Sequence, residues 1–382
     1  MNININRRRL GAFAGAGAVL AAIGSPARSA LAPRATVRVG QSLPLTGPLA
    51  NIVKPVIEGQ NALLEEINSK GGINGNKLEI ITRDDGNDPK RVVENAAALI
   101  EQDDVVALFG VANAAGVAAS LPMLAQRKVP LVGIYAGADI VRAKHHPYFF
   151  TTTASFRDEI VQMVRTLTTV GSTRLAVACM TANNFDQWVL PMTSQVAAEL
   201  GATITLTRGI RQTGEDAAQA AQAMAATQPH AVLLLAAGPC VPAFLRTARK
   251  ELRVPVYALS IAATTGSLAA MGEEAHGLVV TQVVPFPWRQ TSALNRQFAA
   301  AMERARLPVG YDRMWGYLNT SVLAEGLRRA GRSPTPATLV AAMEGMSNTN
   351  LGGYQLSYGP GNHNGSKFVE ITIVGAGGQF KR

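Results

Sequence analysis

The chain is most constrained by a pattern that occurs twice: short, uninterrupted apolar runs alternate with amphipathic stretches of helical period. Thr36 to Gly40 reads as a buried strand, Val56 to Ser69 as a helix and Leu78 to Thr82 as a second strand, with a Gly-rich turn at Gly71 to Gly75. A continuous apolar run is what a strand covered on both faces requires, and its return after a helix makes a parallel βαβ unit. The loop from Leu43 to Ala50 is long for a strand-to-helix connection. In open parallel sheets, ligands lie just beyond the carboxyl ends of strands, so this loop marks a candidate binding site.

The alternation continues. Asp88-Pro89 supplies an N-cap and a first-turn proline for a helix with its apolar stripe at Val92, Val93, Ala96, Leu99 and Ile100. Val105 to Phe109 and Pro130 to Ile134 read as strands flanking a helix at Ala115 to Arg127. After Tyr148 to Thr153 the pattern restarts. Helices are expected at Ser155 to Val170, Asp186 to Leu200, Glu215 to Ala226 and Val241 to Leu252, with strands at Arg174 to Cys179, Thr203 to Arg208, Ala231 to Ala236 and Val254 to Leu259. The fold class is therefore α/β, with two Rossmann-like lobes built on doubly wound parallel sheets.

Gly277 to Val284 then reads as a strand, followed by helices at Ser292 to Arg306, Tyr311 to Ala330 and Pro336 to Met346. A closing hairpin is expected between Tyr354 to Tyr358 and Lys367 to Val374, across the turn-rich Gly359 to Ser366. Late elements returning to both lobes make the chain cross between them more than once, as a hinge does. The expected division is 1–32 for an export segment, 35–153 with 285–346 for lobe I, and 154–284 with 347–382 for lobe II.

The N-terminus carries Arg7-Arg8-Arg9, an apolar run from Leu10 to Ile23 and small residues from Ala27 to Ala32, with Ala30-Leu31-Ala32 in the A-x-A form. That is the layout of an export signal of the Sec or twin-arginine kind, and it places the mature protein in the periplasm. Four of the arginines behind the formal charge of +10 lie in this segment, which leaves a mature chain of about +6. Its cations are scattered without interleaved aromatics, which argues against nucleic acid. The cysteines, Cys179 and Cys240, could pair only if their strands were neighbours in register.

Catalytic constellations are missing. The chain has no HExxH, P-loop or GxSxG, and the Gly-rich Gly375 to Gly378 precedes no helix. His145-His146 reads as a solvated loop, and Asp84-Asp85 as residues shaping the loop ahead of Asp88. An enzyme is not expected, nor a metal or cofactor. What remains are loops after strands that open into helices, whose free N–H groups favour an anionic or acceptor group. Asn113 is the best-placed polar side chain of the first lobe, either as a ligand contact or as a helix cap.

VRVGQSLPLTGPLA and EGQNALLEEINSKGGINGNKLEIITRDDGNDPKR resemble the opening of periplasmic solute-binding proteins of the branched-chain amino acid (leucine/isoleucine/valine) type, the type I periplasmic binding fold. The resemblance continues through ALFGVANAAG, VPLVGIYAGADIVR, RLAVACMTANNFDQW, AVLLLAAGPCVPAFLRTARK, GLVVTQVVPFPW and GGYQLSYGPGNHNGSKFVEITI, with Pro44, Gly47, Pro48, Gly71-Gly72 and Asp84-Asp85 its most diagnostic residues. It implies a ligand in the hinge cleft, closure on binding, and delivery by a monomer to an ABC permease and ATPase complex in the inner membrane. A sensor or a scaffold on the same fold is the alternative.

Carried over residue by residue, the resemblance implies a ligand-binding set of Leu45, Asn113, Ala114, Tyr135, Ala136, Gly137, Phe185, Asp186, Ala237, Ser260 and Ile261. Several depart from the family pattern. Hydroxyls expected after the third and fourth strands are replaced by Asn113-Ala114-Ala115-Gly116 and Tyr135-Ala136-Gly137-Ala138, and a tyrosine by Phe185-Asp186. The acid that meets an amino acid's ammonium falls at Ile261, and a second-lobe aromatic at Ala237. An unpartnered buried ammonium costs several kcal/mol, so the expected ligand is a weakly polar carboxylate or amide held by backbone N–H groups, Tyr135 and Phe185. A branched-chain amino acid is the alternative, with Asp186 the acid left to meet its amine.

Overall fold

The computed structural model describes residues 35–47 and 49–382; the expected export segment and Pro48 lie outside them. Five strands alternate with helices in the first half: β1 (Thr36–Leu43), α1 (Ala50–Ser69), β2 (Lys77–Asp84), α2 (Pro89–Glu101), β3 (Ala107–Val111), α3 (Ala114–Arg127), β4 (Leu131–Ile134) and the short β5 (Phe149–Phe150). They pair in parallel in the order β2-β1-β3-β4-β5. β3 and β4 are buried at every residue, as their continuous apolar runs require.

The second half repeats the scheme with α4 (Phe156–Thr169), β6 (Arg174–Met180), α5 (Phe185–Glu199), β7 (Thr203–Ile210), α6 (Ala217–Ala225), β8 (Ala231–Leu235), α7 (Cys240–Glu251), β9 (Val256–Ala258), α8 (Thr265–Met271) and β10 (Val279–Gln282). Then come α9 (Ala293–Ala305), α10 (Tyr311–Ala330), α11 (Pro336–Glu344), β11 (Thr349–Leu351), β12 (Tyr354–Leu356), β13 (Glu370–Val374) and β14 (Phe380–Lys381). The second sheet runs β14-β13-β10-β9-β8-β6-β7, with β13 and β14 antiparallel at one edge. In both sheets the chain reverses direction across the sheet beside its first strand, between β1 and β3 and between β6 and β8. That is where doubly wound folds open a crevice.

Helices α9, α10 and α11 return to the first sheet, where Phe298, Met314, Leu318 and Leu339 join Val39, Phe109 and Val132 in one core. The chain therefore passes between the sheets at Thr151–Ser155, at Val283–Pro285 and after β12. The first crossing is tied on both sides: Tyr358 and Tyr354 hydroxyls donate to the carbonyls of Thr151 and Thr152 at 2.8 and 2.9 Å, and Arg142 Nη1 donates to Thr153 O at 2.7 Å.

Three expectations are corrected. The hairpin between Tyr354–Tyr358 and Lys367–Val374 does not form: β12 pairs with β11 across Gly352-Gly353, both at positive φ, while β13 pairs with β10 and β14. A two-residue Gly-Gly link makes the tighter turn, and an apolar strand gains more beside β10 than beside a three-residue edge. Residues 347–358, expected with the second lobe, place Tyr354, Leu356 and Tyr358 in the core of the first sheet. Finally, α1 starts at Ala50 and carries Pro55 inside it, so the opening loop is shorter than expected. Cys179 and Cys240 are buried free thiols. Among the described residues no helix is long and apolar enough to cross a membrane.

Candidate functional site

The carboxyl ends of both sheets enclose a cavity of about 320 Å³. Pro44 follows β1, Ala112 and Asn113 follow β3, and Tyr135 and Ala136 follow β4; opposite them stand Ala182 after β6, Ala237 after β8 and Ser260 after β9. Side chains of Leu49, Ile52, Val53 and Val56 add one face of α1, since this spacing places them on a single helical stripe. Phe156, Phe185 and Trp188 add an aromatic corner, with Phe156 and Trp188 stacked at 6.1 Å and Phe185 edge-on to Trp188 at 5.1 Å. Tyr135 meets Trp315 edge-on at 5.8 Å on the other side.

Most polar groups in this wall are already engaged with the protein. Asn113 caps α3 by accepting from Gly116 N at 2.8 Å, and its amide nitrogen donates to the carbonyl and side-chain oxygens of Asn87, both at 2.9 Å. The Tyr135 hydroxyl turns away from the cavity to Gln60 Oε1 at 3.4 Å, part of a buried cluster in which Gln41 and Gln60 bond to each other. Burial holds its phenol well above the usual value, so it stays neutral. Ser260 donates to Glu159 through its N–H at 2.7 Å and its hydroxyl at 3.0 Å. Thr264 caps α8, and the Tyr311 hydroxyl donates to Glu370 at 3.0 Å.

Among the described residues Asp312 is the only charged one in the wall. It too is engaged, accepting from Thr265 N at 2.8 Å and Arg313 N at 2.9 Å. The first of these contacts joins α10, packed on the first sheet, to the N-terminus of α8 beside the second. Two further contacts close the cavity. Leu49 lies against Gly238, where an added Cβ would sit 3.2 Å from its Cδ2, and Asn51 O lies equally near the position a Cβ would take on Gly266. That carbonyl is free because Pro55, four residues on, has no N–H to give it.

Eight of the eleven candidate residues line the cavity: Asn113, Ala114, Tyr135, Ala136, Phe185, Ala237, Ser260 and Ile261. The other three stand elsewhere. Leu45 is 41% exposed, with its N–H donating to Asp84 Oδ1. Gly137 lies behind the wall, its carbonyl accepting from Phe156 N at 2.7 Å and its Cα too close to that residue for any side chain. Asp186 falls in the first turn of α5, outside the wall. Asp84 and Asp85 shape the opening loop, Asp84 accepting from Leu45, Thr46 and Gly86 and Asp85 from Ser42 and Asn87.

The α1 stripe, Phe156, Trp188, Gln282 and Trp315 were not anticipated. Tryptophan offered a signal: the chain has three, with Trp188 in the first turn of α5 after the loop that follows β6, and Trp315 near the start of α10, which follows α9. Among the described residues no group of His, Cys, Asp and Glu could hold a metal ion.

Two doubly wound sheets facing a shared cavity with their carboxyl ends, and joined by repeated crossings, define a two-lobed solute-binding architecture. The chain belongs to the periplasmic binding protein family, which matches it over residues 36–378. The family is one of binding proteins, not enzymes. Over 76 residues the chain is 37% identical to an amino acid binding protein of Pseudomonas aeruginosa, a stretch covering 20% of each chain. Over 105 residues it is 30% identical to Leu/Ile/Val-binding protein homolog 7 of Brucella suis, covering 28% of this chain and 26% of that one. These stretches span only about a fifth to a quarter of the curated relatives. An extracellular ligand-binding receptor from Verminephrobacter eiseniae matches in structure with a TM-score of 0.81 at 26% identity, over 91% of this chain and all of that one.

Proposed function

We propose that this protein is the exported receptor of an ABC importer, taking a small, weakly polar carboxylate or amide into the cavity between its lobes and delivering it to a membrane permease. One observation carries the ligand class: in a largely apolar cavity, the one carboxylate among the described lining residues and most polar side chains are bonded to the protein. An α-amino acid brings an ammonium, and burying that charge beside no free acid costs several kcal/mol. In this reading Asn113, Tyr135 and Phe185 contribute shape, and backbone N–H groups at Ala114 and Ala115 contribute polarity. Met1–Ala32 directs export, and the three crossings act as the hinge.

The names of the curated relatives favour a second reading, a branched-chain amino acid. A thermal-shift panel separates the two, because a ligand that binds only the folded protein raises its melting temperature. Aliphatic and aromatic amides and carboxylates should stabilise the purified protein, and leucine, isoleucine and valine should not. Stabilisation by the amino acids alone would overturn the proposal in favour of the second reading.

A further inference from the structure

Two buried side chains among the residues that line the cavity carry donors that no protein atom accepts. Gln282 closes β10 at the second crossing and is 2% exposed; its Nε2 has no partner. Trp315, on the α10 face that also carries Tyr311, is 8% exposed; its Nε1 has none either. A buried unpaired donor is costly to leave unmatched, and a wall with two of them is complementary to a group that accepts hydrogen bonds. Trp315 can only donate, so its complement cannot be an ammonium or a hydroxyl hydrogen.

The charge of that group follows from the neighbours. Among the described residues no Lys, Arg or His lines the cavity, and Asp312, which stands 3.9 Å from Arg313 Nη1, is the one ionisable acid in its wall. An anion buried there would lose its hydration with only neutral donors in exchange, whereas a neutral carbonyl gives up far less. We propose that Gln282 and Trp315 are specificity-determining residues, and that they select ligands bearing an uncharged carbonyl acceptor, an amide above all, over the matching carboxylate or amine. The inference rests on the reading that this cavity is the ligand site.

The test uses three probes with one apolar body, 4-phenylbutanamide, 4-phenylbutanoate and 4-phenylbutylamine, titrated calorimetrically into the purified protein. The amide should bind at least tenfold more tightly than either charged probe. Trp315→Phe keeps the ring and removes the N–H, and Gln282→Met keeps the length and removes the amide. Each should weaken amide binding about 5- to 30-fold, the worth of one buried hydrogen bond. Neither should change carboxylate binding by more than about twofold, which a general loss of fold would do.

Amide binding left intact in both variants would overturn the donor assignment while leaving the cavity as the ligand site. A carboxylate bound more tightly than the amide would overturn the choice of a neutral group. No binding of any probe would reject the ligand class, and the broader thermal-shift panel would still report separately on the cavity.

Discussion

At residue scale, Glu159 is the side chain with most at stake. It lies fully buried on α4, where its carboxyl faces Ser260 N–H, the Ser260 hydroxyl and the Thr281 hydroxyl. Burial raises its pKa to about 7 against those three donors, which favour the charged form. Because the folded value lies above the unfolded one, the native state holds a proton that the unfolded chain has lost. The stabilisation is complete below about pH 4.5, falls as pH rises, and is gone above about pH 7; its full span is about 3 kcal/mol. Urea unfolding at pH 5, 6, 7 and 8 should show this decline, and Glu159→Gln should flatten it. An equal slope in the variant would assign the dependence to other groups. Asn113 shows what sequence leaves open at this scale. A cap and a ligand contact require the same residue type at the same place, and the choice is made by Asn87, 26 positions earlier and held at a φ of 66°, whose oxygens take up the amide hydrogens.

At the scale of elements, the helices α1 and α10 decide the shape of the first wall. They touch through paired glycines: a Cβ on Gly59 would lie 1.9 Å from Arg313 O, and one on Gly316 would lie 1.9 Å from Val56 O. Backbone is packed on backbone here, so no side-chain rotation can relieve an added methyl. Gly59→Ala or Gly316→Ala should force the helices apart and destabilise the protein by about 1–3 kcal/mol, read as a lower denaturation midpoint in urea. Ligand affinity should fall as well, because Ile52 and Val53 on α1 and Trp315 on α10 face one cavity. Unchanged stability in both variants would show that the helices can move apart freely. The βα alternation was legible because each strand is a short apolar run and most helices carry a clean stripe. The start of α1 was not: Pro55 resembles a helix boundary, yet the carbonyl it leaves free sits at the contact with α8. Helix α8 itself spans seven residues with Ala and Gly among them, too short for a periodic signal. The strand partners at the C-terminus were also hidden, since pairing with β10 is a contact some 90 residues away in sequence.

For the whole molecule, the question is what holds the two lobes together around the cavity. Tyr311 and Asp312 are consecutive, and both reach from α10 to the second sheet's elements, Tyr311 to Glu370 on β13 and Asp312 to the first N–H of α8. The carboxylate there meets the positive end of a helix, a favourable placement with its own hydrogen bond. Domain closure is set by small free-energy differences between open and closed forms, so one such contact can move the balance without a ligand present. A hydrogen bond to a charged group contributes about 1.5–3 kcal/mol, which corresponds to a shift in the closed-to-open ratio of roughly 10- to 100-fold. Asp312→Ala should therefore enlarge the radius of gyration of the ligand-free protein in solution scattering, and Tyr311→Phe, which likewise breaks a bond between a neutral donor and a carboxylate across the lobes, should act in the same direction. Saturating ligand should draw both variants back to the wild-type value, because ligand contacts to both lobes replace the lost one. A ligand-free Asp312→Ala protein as compact as wild type would show that Leu49 on Gly238 and Asn51 against Gly266 suffice to keep the cavity shut, and would move the control of closure from α10 to the N-terminal half of α1.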